Sequence, residues 1–247
     1  MTRILAFAMV YVLFSSAVFG QTAKAIPPAT VVPPIKNFDA EKTLAKLALD
    51  AHGGAKLKAM KTLVIRGSVD VTSSAIPQAI PATFITIFSN EKYRFEIDNP
   101  FQPLKQVFDG TQTSASIQGG FTLPPINRLG FPLLPRIGDA SFIITSLPEG
   151  KKKQKGFRMT SPEGYFTDFY LDEKTNQVKG YDSTYQMSGR TVTTSVEIDK
   201  MKIIDGITVP ERYVQRFDME KMTVYADFKA KEILINSAVA DDVFTLN

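Results

Sequence analysis

The sequence predicts a mainly β protein of the α+β class, in which a long antiparallel meander packs on an N-terminal helix pair. Apolar and polar residues alternate with a period of two from Thr62 onward, as in EKYRFEID at 91–98. Turn signals such as PEG, DEKTN and DG separate these runs at short intervals. Before these strand segments, within residues 37–61, apolar residues recur at the spacing of a helix. A further apolar segment, 119–144, carries four prolines and fits neither period.

The first residues, MTRILAFAMVYVLFSSAVFGQTAKA, predict a secretory signal peptide over 1–20. Arg3 supplies the positive end, an apolar run follows, and small residues permit cleavage after Gly20 or, less favourably, after Ala25. The apolar run is shorter than the roughly 20 residues of a membrane-spanning helix. This length disfavours a retained anchor.

The remaining chain divides into a proline-rich linker and one domain. Residues 21–38 contain two PP pairs and predict an extended linker, and residues 39–247 predict a single domain. We expect this domain to be exported to the periplasm, with its signal peptide removed. Since the chain has no cysteine, it has no disulfide, no thiolate nucleophile and no cysteine for lipid acylation.

The charge of the chain is mildly basic. The formal net charge is +4 and falls to +3 when Arg3 leaves with the signal peptide. Such a balance does not indicate a nucleic-acid partner. The densest basic run, GKKKQKG at 150–156, is typical of an exposed turn, and contact with anionic lipid headgroups is the alternative.

The only histidine, His52, lies in the stretch DAHGGAKLKAMK. Before it, Asp39 is a predicted N-cap and apolar residues recur at helical spacing. Gly53 or Gly54 supplies the left-handed residue that ends such a helix, and a second short helix follows. These features predict that His52 is a helix-terminal residue rather than a catalytic base or a metal ligand.

The proline-rich apolar segment at 119–144 cannot pair as a central strand, because proline lacks the backbone donor. An apolar segment of this length must cover another apolar surface or be covered by one. Two hypotheses remain open: a hydrophobic plug over one end of the sheet, or a mobile lid over a lipid-sized cavity. In the second hypothesis Leu129, Phe131, Leu133 and Leu134 are the lid contacts.

No motif in the chain indicates catalysis. A serine triad needs a histidine positioned by a carboxylate, and His52 is the only histidine of the chain. A zinc site needs several histidine or cysteine ligands, and the chain has no cysteine. The sequence also has neither a GxSxG elbow nor a phosphate-binding glycine motif. Asp241 and Asp242 are adjacent, so an extended backbone directs them to opposite faces. We predict no enzymatic activity, no cofactor and no metal. A dispersed carboxylate pair acting on envelope carbohydrate is the weakest alternative.

In the order of its features, the chain resembles the LolA/LolB superfamily of periplasmic lipoprotein and lipid carriers. The resemblance rests on AHGGAKLKAMKTLVIRGSV, SNEKYRFEID followed by VFDG, FYLDEKTNQVKGYD, IDGITVPERY and the closing VADDVFTL, which together span roughly 39–247. It implies a curved antiparallel half-open β-barrel around helices, whose concave apolar face accepts acyl chains without a cofactor. In LolA an arginine after the second strand holds the lid; Ser89 takes that place here, with Lys92 and Arg94 nearby.

The expected function is that of a soluble periplasmic carrier, which binds acyl chains of a lipoprotein or lipid for transport between membranes in outer-membrane biogenesis. Its expected partners are a lipid or lipidated protein and membrane-associated donor and acceptor proteins, with no nucleic acid. The alternative is a non-enzymatic protein-interaction module whose half-barrel is filled by its own side chains. The predicted cavity residues are the aromatic and aliphatic side chains of the strand faces: Phe84, Phe88, Tyr93, Phe95, Ile97, Tyr165 and Phe169.

Overall fold

The first and last strands of the chain lie side by side in the middle of one antiparallel sheet. In a computed structural model, residues 37–74, 78–99, 103–116, 126–187, 190–219 and 222–246 are described. Twelve strands follow the order β5-β4-β3-β2-β1-β12-β11-β10-β9-β8-β7-β6. The predicted signal peptide at 1–20 and nearly all of the predicted linker lie outside the described residues. The predicted fold class, a mainly β open curved sheet with N-terminal helices, is confirmed.

The two α-helices are α1 (Asp39–Ala51) and α2 (Ala55–Lys58). The strands of the first half are β1 (Thr62–Ser73), β2 (Ile80–Ser89), β3 (Lys92–Asp98), β4 (Leu104–Phe108), β5 (Thr113–Ala115) and β6 (Ile143–Thr145). Those of the second half are β7 (Gly156–Thr160), β8 (Phe166–Leu171), β9 (Val178–Met187), β10 (Arg190–Ile204), β11 (Ile207–Met219) and β12 (Met222–Ile235). Short 3₁₀ helices occur at Ile126–Arg128, Phe131–Arg136, Glu149–Lys151 and Asp241–Phe244. Within the described residues, no helix is both long and apolar enough to cross a membrane.

Both faces of the sheet carry buried apolar side chains. The inner face packs on α1 and α2 and forms the main core, in which Leu57, Tyr93, Phe169 and Phe228 are almost fully buried. Burying each such side chain contributes about 1.5–3 kcal/mol relative to leaving it exposed. On the outer face, Phe244 of the last 3₁₀ helix packs with apolar residues of β1, β2 and β4. The helices therefore cover one face, and the C-terminal segment covers part of the other.

The prediction that Asp39 is the N-cap of the first helix is wrong, because helix α1 begins at Asp39 and its N-cap is Phe38. The backbone N–H of Asp39 donates to the side-chain oxygen of Asn37, at 3.1 Å. Asn37 thus satisfies one of the free N–H groups of the first turn. The end of the helix is as predicted, because Gly53 and Gly54 both have positive φ, at 113° and 53°.

His52 is the C-cap of α1 and is fully buried. Its Nε2 accepts the backbone N–H of Val178 at 2.9 Å, which leaves Nδ1 as the protonated nitrogen. Nδ1 then donates to the carbonyl oxygen of Thr208, at 2.8 Å. The backbone N–H of Thr208 donates back to the His52 carbonyl at 3.2 Å. One neutral imidazole therefore joins α1 to the first residues of β9 and β11, and the prediction of a helix-terminal, structural His52 is confirmed.

Removing this imidazole is expected to remove a pH-dependent part of the stability. Burial lowers the pKa of His52 below its ordinary 6.5, although the bond to Thr208 raises it. As the pH falls below about 6.5, the unfolded chain binds a proton first, so the folded state loses stability. His52→Ala should lower the free energy of unfolding by about 3 kcal/mol at pH 7.5, since it leaves two buried backbone groups without partners.

The measurement is urea unfolding from pH 7.5 to pH 5. In His52→Ala the decrease in stability between pH 6.5 and pH 5 should be smaller than in the parent. Phe131→Leu is the control, because Phe131 packs edge-on against the imidazole with ring centroids 5.3 Å apart and has no titrating group. The free energy of unfolding of this variant should depend on pH as strongly as that of the parent. If the free energy of unfolding falls equally with pH in the parent and in His52→Ala, the pKa of His52 in the folded protein is not below its pKa in the unfolded chain.

Candidate functional site: an apolar cavity under a covering segment

An apolar cavity of about 130 Å³ lies between the inner face of the sheet and residues 126–137, which we call the covering segment. The sheet contributes residues of β1, β2, β3, β9, β10 and β11 to its wall, and the covering segment contributes the rest. The apolar members include Leu63, Ile65, Phe88, Phe95, Ile126, Leu129, Phe131, Val196, Tyr213 and Phe217. Thr86, Ser183, Thr194 and Gln215 add polar atoms. A largely apolar wall with few polar groups is typical of a site for an apolar ligand.

The topology of the sheet determines why the covering segment lies at this place. Strands β5 and β6 are consecutive in the chain but form opposite edges of the sheet. The connection between them must therefore run from one edge to the other. Its backbone N–H groups at Leu129, Leu133 and Ile137 donate to carbonyls within the segment itself. The segment is thus held as short 3₁₀ turns and not as a strand of the sheet.

Gly130 fixes the segment against the inner face. It has a φ of 63° and packs directly against the ring of Tyr181, where a Cβ atom would collide. Its N–H donates to the side-chain oxygen of Thr167 at 3.0 Å, and that oxygen lies 3.0 Å from the hydroxyl of Ser183. Burial raises the pKa of Tyr181 to about 12, so its hydroxyl stays neutral. Only glycine fits this position without displacing the segment.

A polar clasp, formed by Glu91, Asn127, Arg128 and Arg136, attaches the segment to the turn between β2 and β3. The Glu91 carboxylate forms ion pairs with Arg136 and with Arg128, the latter at 2.8 Å. The side-chain amide of Asn127 donates to the Glu91 carbonyl oxygen at 2.6 Å. Arg128 also lies 3.3 Å from Glu163. One carboxylate therefore holds both ends of the segment.

The charges of this clasp are the reverse of those that the family resemblance implies, where an arginine after the second strand holds the lid. Ser89, at the end of β2, supplies no cation. Lys92 pairs with Asp241 at 3.0 Å, and Arg94 donates to the carbonyl oxygens of Val243 and Thr245 at 2.6 and 3.2 Å. Both cations thus bind the C-terminal segment on the outer face. The cations of the clasp belong to the covering segment instead, and the anion, Glu91, belongs to the turn between β2 and β3.

The predicted cavity residues occupy different positions. Phe88 and Phe95 line the apolar cavity. Phe84, Tyr93 and Phe169 are buried in the main core, and Ile97 packs against it. Tyr165 packs in a small cluster with Leu129, Tyr185 and Val192. Whether any of the seven contacts a ligand stays a prediction.

The predicted lid residues divide into two pairs. Leu129 and Phe131 line the cavity. Leu133 and Leu134 are 0% exposed and belong to the main core. Their role in a lid stays a prediction.

The basic run contributes a buried charge network that sequence reasoning missed. Lys151 forms ion pairs with Asp182 and with Asp168, the latter at 3.3 Å. Asp168 is 1% exposed and also accepts two bonds from Arg158, at 2.6 and 3.0 Å. Tyr170 donates its hydroxyl to Asp182 at 2.7 Å. Sequence alone gave no signal, because the partners come from four separate strands and turns.

The pKa of Asp182 in this network is not raised. Burial raises the pKa of Asp182, but the bonds from Lys151, Tyr170 and Ser195 lower it more, so its net pKa lies below the ordinary value. A general acid needs a raised pKa near the working pH. Among the described residues, no group of three or more histidines and carboxylates is arranged to hold a metal ion.

Three solved structures show a similar chain path. A DUF1329 family protein from Desulfovibrio piger ATCC 29098 has 11% identity and a TM-score of 0.48, covering 83% of this chain and 97% of its own. A LolA superfamily protein from Nitrosomonas europaea has 10% identity and a TM-score of 0.49, with the same coverage of 83% and 97%. A domain assigned provisionally to outer membrane lipoprotein sorting, from Vibrio parahaemolyticus, has 8% identity and a TM-score of 0.41, covering 81% and 97%.

The second of these structures carries the name of the LolA superfamily, and the third is named for outer membrane lipoprotein sorting. No protein-family model matches the chain, and no curated protein matches it. At such low identities and TM-scores, these likenesses say nothing about ligand or activity.

Replacing Glu91 with glutamine is expected to loosen the covering segment without unfolding the sheet. The change removes the shared anion of the clasp, and each partly exposed ion pair contributes up to about 1 kcal/mol. Amide hydrogen exchange across 126–137 should therefore become about three- to tenfold faster, while β1 and β12 exchange as before. Glu232→Gln, which removes an ion pair to Arg66 on the surface, is the matched control. Unchanged exchange in the segment would show that the clasp does not hold it.

Proposed function

We propose that this protein is a non-enzymatic carrier that binds an acyl chain between the inner face of its sheet and the covering segment. The observation that carries the proposal is the apolar cavity itself, whose wall combines side chains of six strands with Leu129 and Phe131. Burial of each methylene group contributes about 0.8 kcal/mol, so an acyl chain can be held by apolar contact alone. Such a site needs neither a cofactor nor a reactive group.

The cavity is too small for a complete acyl chain, so part of the covering segment must move when such a chain binds. A cavity of about 150 Å³ accommodates one benzene molecule, and sites for larger ligands span about 300–1,000 Å³. The cavity here, about 130 Å³, accommodates only part of an acyl chain. A complete chain therefore requires displacement of Leu129 and Phe131, which occupy the space beside it. A segment that competes with cargo for the same surface also provides a means of release.

The proposal includes a cellular context that follows from the N-terminal sequence. Residues 1–20 have the pattern of a signal peptide, so we place the carrier in the periplasm, where it transports a lipid or the acylated end of a lipoprotein between membranes. Donor and acceptor proteins at those membranes are its proposed partners. This context supports a role in outer-membrane biogenesis.

A second candidate function is a protein-interaction module whose half-barrel is filled by its own side chains. The small cavity volume and the fully buried Leu133 and Leu134 favour this candidate. The two functions differ in one property, the uptake of an acyl chain. That property decides between them.

A substitution that fills the cavity is expected to abolish acyl-chain binding. Thr194 of β10 is 4% exposed and lines the cavity, so Thr194→Phe places a ring in the space that a chain would occupy. Thr193 is its neighbour on the other face of the same strand, where it bonds Thr184 at 3.1 Å, and Thr193→Phe is the matched control. Overpacking a closed site costs about 1–3 kcal/mol, so thermal unfolding of both variants accompanies the assay.

The measurement is native mass spectrometry of the protein from an envelope extract, followed by titration with a fluorescent fatty acid. The parent and Thr193→Phe should retain or take up one lipid, and Thr194→Phe should lose at least tenfold in affinity. A parent protein without adduct that also fails to bind the fatty acid would contradict the carrier function and favour the interaction module.

A further inference from the structure

A second cavity, of about 230 Å³, opens next to the apolar one and is lined differently. The two cavities share Leu63, Phe88, Phe131 and Pro132 as walls. The second cavity, which we call the polar mouth, lies where β1 begins and β2 ends. Its other lining side chains are mainly polar or charged: Lys58, Lys61, Thr62, Asn90, Glu91, Asn127 and Arg136, with Met60 and Pro135.

The charges of the polar mouth do not balance. Its lining contains three cations, Lys58, Lys61 and Arg136, and one carboxylate, Glu91. Arg136 forms ion pairs with Glu91 and, at 3.5 Å, with Asp139. For Lys58 and Lys61, no carboxylate of the described residues lies within ion-pair distance. The ammonium group of Lys58 instead lies beside the backbone of Gly138. Among the described residues, the mouth therefore has two positive charges without a carboxylate partner at the end of an apolar cavity.

The mouth also contains a buried acceptor without a partner. Asn127 is 8% exposed, and its side-chain nitrogen is engaged with the Glu91 carbonyl oxygen at 2.6 Å. Its side-chain oxygen is buried and has no hydrogen-bond partner among the described residues. Because a buried polar atom without a partner is costly, such an atom indicates a position where a ligand or water donates a hydrogen bond.

From this arrangement we propose that the cargo is an amphiphile with an anionic headgroup, either a carboxylate or a phosphate. The acyl chain lies in the apolar cavity, and the anion lies in the polar mouth against Lys58 and Lys61. A hydroxyl or amine of the same headgroup donates to the side-chain oxygen of Asn127. This assignment rests on the proposed carrier function and adds the class and the orientation of its ligand. The shared walls place the boundary between chain and headgroup at Phe88 and Phe131.

The test compares ligands that share one chain and differ in the headgroup. Laurate, lauryl phosphate and the neutral 1-lauroylglycerol are titrated below their aggregation concentrations, by calorimetry at 0.05 M salt. Both anions should bind about tenfold more tightly than the neutral lipid. In Lys58→Gln/Lys61→Gln this preference should disappear while the affinity for 1-lauroylglycerol stays the same. Since the screening length is only about 3 Å at 1 M salt, the preference should also shrink there.

Lys153→Gln/Lys231→Gln is the control, because it makes the same change of charge at two exposed lysines that line neither cavity. It should keep the tenfold preference. Thermal unfolding of each variant tests folding, and Lys61→Gln alone, with an expected loss of part of the preference, replaces the double variant if that variant is unstable.

Three outcomes would overturn the proposal. Equal affinity for the anionic and neutral lipids would refute the headgroup site while the carrier function stands. Inorganic phosphate that binds as tightly as lauryl phosphate would show an anion site unrelated to acyl cargo. If none of the three lipids binds, the carrier function fails as well, and the headgroup site fails with it.

Discussion

The pairing of β1 with β12 is the constraint on which the rest of the molecule depends. It joins the two ends of the domain in the centre of the sheet, from Leu63 opposite Ile235 to Ser73 opposite Val224. As a result, β5 and β6 become the two edges, and the chain between them must run from one edge to the other. Gly67 permits this pairing, because a Cβ atom there would collide with the carbonyl oxygen of Lys229 at the register shift. The covering segment is therefore a consequence of topology.

The neutral imidazole of His52 determines how the helices sit inside this sheet. A neutral imidazole is both a donor and an acceptor, so one side chain binds the starts of β9 and β11, which are not neighbours in the sheet. The imidazole also contacts the covering segment, because its ring packs edge-on against Phe131. The wall of the apolar cavity and the end of α1 are thus mechanically linked through buried contacts. A lysine or arginine could not replace this residue, because neither has an acceptor nitrogen.

The proposed site divides its tasks between apolar and polar contacts. Apolar contact supplies affinity without selecting a chain, whereas the charges at the polar mouth select one end of the ligand. Glu91 belongs to both the clasp and the mouth, so the same carboxylate that holds the covering segment lies where the proposed anion would enter.

By itself the sequence determined the β meander, the helix that ends before Gly53 and the exclusion of the common catalytic motifs, because these depend on local periodicity and on residue types that are absent. It also singled out the segment 119–144, which contains the covering segment, since proline lacks the backbone donor that a central strand needs. It placed the N-cap at Asp39, whereas the helix begins at Asp39 and the side chain of Asn37 accepts the first backbone N–H. Only the tertiary structure decided which of the predicted aromatic residues line a cavity and which fill the core. It alone brought Glu91 to Arg128 and Arg136, and Lys151 to Asp168 and Asp182, because such contacts join residues distant in the chain whose register no local pattern contains.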